Sequence, residues 1–140
     1  VPRWSVLAAA AEFHGHVGPW LALGLRAGLL ARRRLLDDPF RLRAVVRCPA
    51  RRPFTCFIDG VQFGSGCTMG KGNIRHIASR RVGVTFSAPG RGRLTLSVRP
   101  AAVPELEPQR PDSGAVARSG RALFRRRLGD LFVVSLCRPR

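Results

Sequence analysis

Gly18-Pro19-Trp20-Leu21-Ala22-Leu23-Gly24-Leu25-Arg26-Ala27-Gly28-Leu29-Leu30-Ala31 is the stretch around which the rest of the chain must be arranged. Proline at a first helical position sacrifices no hydrogen bond, because its N–H would have no intrahelical acceptor there. Leu21, Leu25 and Leu29 then recur every fourth residue, which is the period of one helix face. Gly24, Ala27, Gly28 and Ala31 give the same helix a small-residue side that admits a sheet or another helix at very close range. The helix is therefore expected at the centre of the fold. It does not read as a membrane span, since Arg26 interrupts a run well short of the ~20 apolar residues a bilayer requires.

Outward from this helix the elements alternate in type. Upstream, the alanine-rich Ser5 to Phe13 predicts a short helix ended by Gly15 and Gly18. Downstream, Asp37-Asp38-Pro39 reads as a turn, and Leu42 to Cys48 as an edge-like strand stopped by Pro49. Phe54, Phe57, Ile58 and Val61 are spaced for a short helix, and the glycines of Gly64 to Asn73 mark a loop. Ile74 to Ala78, Val82 to Ser87 and Arg93 to Val98 predict strands in an antiparallel meander, with Ala88-Pro89-Gly90 as one of its turns. Pro100, Pro104, Pro108 and Pro111 make residues 100–111 a surface loop. A closing helix over Ala115 to Leu128, capped by Asp112 or Ser113, and a strand over Leu131 to Cys137 complete residues 112–140. The fold class expected is α+β, an antiparallel sheet packed against a few helices, in a single domain over residues 1–140.

Length and composition agree with one unaided core: the chain has 140 residues, 45% hydrophobic and 24% charged. The short apolar run Trp4 to Ala11 lacks the cleavage region of a signal peptide, so a cytoplasmic, membrane-free protein is expected. Cys48, Cys56, Cys67 and Cys137 form no C-x-x-C pair, which argues against a zinc ribbon or a thioredoxin-type motif. The net charge of +17 is almost all arginine, Lys71 being the one lysine. The arginines are scattered rather than gathered on one stripe, which fits a GC-rich genome that writes arginine for any surface cation better than a nucleic-acid surface.

Two segments carry chemistry. In Phe13-His14-Gly15-His16 two imidazoles stand two residues apart before the central helix; in a turn they share a side, whereas on a helix they would diverge by roughly 200°. Such a pair holds a transition metal if one or two further ligands arrive from elsewhere, and otherwise is a helix-terminal pair. In Gly64-Ser65-Gly66-Cys67-Thr68-Met69-Gly70-Lys71-Gly72-Asn73 the flanking glycines would expose the Cys67 thiol, and Lys71 would favour its thiolate. Cys48 and Cys137 read as small hydrophobes, and Cys56 as intermediate. The loop is not a Walker A motif, because Ser65 stands where the first glycine belongs and Gly72 follows Lys71. Asp59 and Gln62 share a helix face and are placed to orient a ligand or a water.

Taken together, Phe13-His14-Gly15-His16 with Gly18-Pro19 and Leu21-Ala22-Leu23-Gly24, then Cys56 with Asp59-Gly60-Val61-Gln62, then Ser65-Gly66-Cys67-Thr68-Met69-Gly70-Lys71-Gly72-Asn73, resemble the core domain of the formylmethanofuran dehydrogenase E-subunit family over about residues 5–98. The resemblance implies an α+β core, usually dimeric, with a metal centre built from the histidines of the first block and cysteines of the second. That nominates His14, His16 and Cys67 as ligands, with Cys56 beside them. Many members have cysteine where this chain has Gly18, and longer members carry a four-cysteine zinc finger that does not follow the core here.

The expected function is a metal-binding protein with a His/His/Cys site for zinc or nickel, open to a small ligand or a water that Lys71 or Asp59 would assist. A homodimer is expected from the resemblance. One alternative keeps the residues but makes Cys67 a thiolate nucleophile or redox thiol with a histidine base. Another is a basic nucleic-acid-binding module, for which no fitting motif or aromatic platform is present. Whether the protein is an enzyme turns on whether the open position is used.

Overall fold

The computed structural model describes residues 3–102 and 114–140. Helix α1 spans Arg3–His14 and α2 spans Pro19–Arg34; strand β1 is Arg43–Cys48, helix α3 is Cys56–Ser65, and strands β2, β3 and β4 are Ile74–Ala78, Gly83–Ala88 and Gly92–Val98. After a 3-10 turn at Pro100–Ala102 come helices α4, Gly114–Arg125, and α5, Leu128–Leu131, and strand β5, Phe132–Cys137. Most of the proline-rich segment and both proposed caps, Asp112 and Ser113, lie outside the described residues.

Five strands form one sheet in the order β2-β1-β3-β4-β5. Period-2 alternation puts Ala44, Val46 and Cys48 of β1, Val84 and Phe86 of β3, and Leu94 and Leu96 of β4 on one buried face. Their registers stack them in rows, Val46 opposite Val84 and Val84 opposite Leu96. The other face carries Thr85 and Thr95, whose hydroxyls meet at 3.3 Å. The buried face packs on the helical layer, of which α2 is the centre: every residue from Pro19 to Gly28 is buried. Even Arg26 is inside, where it donates from Nη1 to the carbonyl of Leu123 at 2.9 Å and to that of Arg126, fastening α2 to the end of α4.

Helices α2 and α3 meet backbone to backbone. A Cβ on Gly24 would lie 2.1 Å from the Phe57 carbonyl oxygen, and one on Gly28 2.5 Å from the Ser65 nitrogen. From the other side, a Cβ on Gly60 would lie 2.3 Å from the Leu21 oxygen and one on Gly64 2.5 Å from that of Leu25. Since the contacts advance in the same direction along both helices, α2 and α3 run parallel and begin at the same end of the molecule.

The α+β class and the mostly antiparallel sheet agree with the sequence reading, and three details differ. Strand β1 is not at an edge: it pairs parallel with β2 and antiparallel with β3. Pro49 is compatible with this because it falls just past the last paired residue. The meander therefore reduces to β3 and β4, with β2 carried to the far side of β1 by a crossover through α3, as a parallel pair requires. Gly64 belongs to α3 and not to the loop, because its missing side chain serves the contact with α2.

Candidate metal centre

The site begins where α1 stops. Gly15, at φ 113°, turns the chain out of the helix, so His14 on the last turn and His16 in the bend face the same space, their ring centroids 4.8 Å apart. Cys56, at the first turn of α3, comes to the same place because α3 starts beside the start of α2. One ligand atom from each of His14, His16 and Cys56 lies within 4.8 Å of the other two. Tetrahedral zinc, with bonds of about 2.0–2.3 Å, needs ligand atoms roughly 3.3–3.8 Å apart, a closure of at most about 1.5 Å.

The hydrogen bonding of His14 fits that use. Its Nδ1 donates to Oδ2 of Asp59 at 2.6 Å, and Asp59 is steadied through Oδ1 by the Gln62 amide at 3.3 Å. Nε2 of the same ring is buried and has no hydrogen-bond partner. A buried ring nitrogen without a partner costs about 1–3 kcal/mol, and a carboxylate on the opposite nitrogen is the usual setting of a metal-binding imidazole. Among the described side chains the Cys56 sulfur is the group near enough to act on that ring, and a metal ion held between the two would match both. The hydrogen bond to Asp59, then the neighbouring Cys56 sulfur, raises the His14 pKa to about 9. His16 is lowered from its ordinary value by burial and by the charge of His14.

Cys67 does not join the cluster. It lies two residues beyond the end of α3, whereas Cys56 is its first residue, and eleven helical steps correspond to roughly 16 Å. The glycines that were expected to expose its thiol do otherwise: Gly66 is the left-handed cap of α3 at φ 78°, and Cys67 is fully buried. Burial pushes the Cys67 thiol up; Lys71 acts downward as expected, but it is the smaller influence. The loop is a structural clasp. Thr68 N donates to Asn73 Oδ1 at 2.9 Å, and the buried Asn73 amide donates to the carbonyls of Pro39 and Leu42 at 2.7 and 3.0 Å. Lys71 is exposed and donates from Nζ to Thr68 Oγ1 at 2.9 Å, pointing to no part of the centre.

The third histidine, His76, has a structural place. Its Nε2 lies 3.0 Å from the Cys48 carbonyl and 3.3 Å from Cys48 Sγ, which ties edge strand β2 to β1. Cys48 is buried and raised to about 11, so it is a protonated thiol, and Cys137 is exposed.

Beside the centre lies a cavity of 560 Å³, walled by His16, Gly18, Trp20, Arg52, Pro53 and Cys56 with neighbouring apolar groups. The sequence reading did not single out Trp20, Arg52 or Pro53. The available signal was that Arg51-Arg52-Pro53 leads into the helix that begins with Cys56. Gly18 matters by absence: a Cβ there would stand 3.1 Å from His16 Nε2, so a cysteine at this position would reach the cluster.

Among the described residues, no helix is long and apolar enough to cross a membrane. The sequence profile of the family described as "FmdE, Molybdenum formylmethanofuran dehydrogenase operon" matches residues 13–128, more than four-fifths of the chain. A protein of Archaeoglobus fulgidus named "Probable S-adenosyl-L-methionine-binding protein" is 34% identical over 79 residues, covering 51% of this chain and 20% of its own length. This chain thus spans about a fifth of the length of that relative.

Proposed function

This chain belongs to the FmdE family, the E-subunit family of formylmethanofuran dehydrogenase, and on that footing we propose that it binds a divalent transition ion, zinc or nickel, through His14, His16 and Cys56. The observation that carries the reading is His14: one ring nitrogen is held by a carboxylate at 2.6 Å, and the other is buried without a well-formed hydrogen bond, with the Cys56 sulfur close to the ring. One thiolate and two imidazoles suit zinc or nickel better than the all-oxygen preference of magnesium or calcium.

Three protein ligands leave a position open toward the cavity, where a bound ion would act as a Lewis acid on a small ligand or a water. The protein's own part is to hold the site. Asp59 fixes the His14 tautomer, the α2–α3 contact fixes Cys56, and the apolar wall formed by Trp20 and Pro53 limits bulk water. The homodimer implied by the family belongs to the same proposal, and sedimentation equilibrium of the metal-loaded protein tests it; a monomer at all concentrations removes it.

The S-adenosyl-L-methionine of the archaeal relative's name does not extend readily to this chain. Arg52 would suit its carboxylate, but its sulfonium and ammonium groups would find, among the described residues, no acidic side chain in the cavity wall.

The test is metal content. Purified wild type and Cys67→Ser should carry about one equivalent, while Cys56→Ser and the His14→Ala, His16→Ala double variant should lose it. Equal, substoichiometric metal in all four would remove the hypothesis. Loss from Cys67→Ser in a folded protein, with Cys56→Ser unaffected, would return the sulfur ligand to the loop.

A further inference from the structure

We propose that the open face of the sheet docks the phosphate backbone of a nucleic-acid duplex without reading its sequence. The inference goes beyond the metal centre, which sits in the helical layer, and stands or falls without it.

Register alone assembles this face. Strand positions that alternate with the buried rows point away from the helices, and four of them are exposed arginines: Arg43 and Arg47 on β1, Arg75 on β2 and Arg93 on β4. Arg75 is paired beside Val45, between the two arginines of β1, while Arg43 is opposite Ser87 and Ser87 opposite Arg93. Central strand β3 gives only Gly83, Thr85 and Ser87 to this side. The arginines of β1 and β4 therefore rise on either side of a low, hydroxyl-bearing floor, about 10 Å apart across two strand spacings. At one end of this trough Arg43, Ser87 and Arg93, with the turn at Gly90, line an open hollow of 400 Å³.

Two observations set this face apart from a generally basic surface. Among the described residues none of its four guanidiniums has a hydrogen-bond, ion-pair or ring partner, whereas Arg26, Arg32, Arg51 and Arg99 each have one. No strand carries an acid either: the described acidic residues, Glu12, Asp37, Asp38, Asp59 and Asp130, all lie on helices or on the α2–β1 connection. A GC-rich genome explains arginine in place of lysine and does not explain the missing acids. A second copy of the chain would set the same four cations against each other, so the complementary partner is an anion. Guanidinium forks and hydroxyls are the groups that hold phosphates in register. The face has no aromatic side chain, so it lacks the stacking platform that single strands draw on. A duplex stacks its own bases inward and presents one phosphate per ~1.7 Å of axis, which is the form this face matches.

The test is fluorescence anisotropy with a labelled random-sequence DNA duplex over a series of salt concentrations. Arg43→Gln with Arg93→Gln removes two phosphate contacts, which should weaken binding roughly 30-fold at about 0.15 M salt and make the logarithmic salt slope shallower by about two. Arg121→Gln with Arg125→Gln removes the same charge from exposed positions on α4 and should cost less than about threefold. Duplex should also slow thiol labelling of Cys137, exposed on the same face in the row of Arg93, and leave Cys56 as it was. Equal losses from the two double variants, no binding of wild type at about 0.15 M salt, a single strand of the same length bound as tightly as the duplex, or polyglutamate bound as tightly as DNA would each overturn the proposal. Protection of Cys137 that rises with protein concentration in the absence of DNA would overturn it in favour of a second copy of the chain.

Discussion

Replacing Asp59 with asparagine should change how metal affinity depends on pH, and not merely its size. In the metal-free protein the carboxylate at 2.6 Å helps raise His14 to about 9. The Nε2 proton must leave before a metal can bind, so at pH 7 only about one wild-type molecule in a hundred presents a free Nε2. In the Asp59→Asn protein the ring should return toward the ordinary value of 6.5, and about three molecules in four would be free at the same pH. Near pH 9.5 both proteins are mostly deprotonated at this nitrogen. Proton competition alone thus changes the wild-type-to-variant affinity ratio by roughly two log units between pH 7 and 9.5, or about 2.5 kcal/mol. Against it stands the intrinsic contribution of the carboxylate as an orienting and polarising group, about 10- to 100-fold in affinity. At pH 7 the wild type should bind between about eightfold more weakly than the variant and equally tightly, and at pH 9.5 roughly 10- to 100-fold tighter. Competition against a chromophoric chelator at four pH values measures this, and the Cys56 thiol, common to both proteins, drops out of the ratio. Parallel affinity curves for the two proteins would refute the role given to the Asp59–His14 pair.

Gly24→Ala should lower stability by about 2 kcal/mol or more, since its methyl must displace the Phe57 carbonyl. Gly70→Ala, with nothing within 4 Å of a Cβ, should stay within about 0.5 kcal/mol of wild type; urea midpoints compare the two. Gly18→Cys, in extended backbone at φ −151°, should supply a fourth protein ligand and tighten metal binding. Unchanged affinity would contradict the placement of position 18 beside His16. In the native metal-free protein, Cys137 and Cys56 should label with a thiol reagent well before the buried Cys48 and Cys67; equal rates for all four would contradict the burial of the latter pair.

Features written in local chemistry were legible in the sequence. Pro19 and the four-residue leucine spacing announced α2, alternation announced β3 and β4, and the turn at Gly15 brought His14 and His16 to one side as H-x-H in a bend should. Asp59 was recognisable as an orienting group, though its specific target was not. What escaped depended on contacts between distant segments. Whether β2 pairs with β1 or β3 is decided by the crossover through α3, which has no local signature. The choice of sulfur failed to read for a related reason: the glycine string around Cys67 looks like an exposing loop, but its glycines and Asn73 build a clasp, and Gly64 serves the helix seam. Cys56, with an unremarkable local sequence, is placed by the direction of α3 relative to α2.

The four-glycine seam has an effect on the centre as well as on the core. Where helices are spaced by side chains, each substitution along their boundary retunes whatever sits at their ends. Here main chain rests on main chain, so the spacing of the two helices that flank the centre is set by backbone and not by side-chain volume. The vulnerability is concentrated instead in residues with no functional group at all. A methyl at Gly24, about 9 Å along the helix from Gly18, would act as a wedge near the pivot and prise the Cys56 thiol away from the imidazoles, so mutations expected to disturb the proposed centre include ones that touch no ligand.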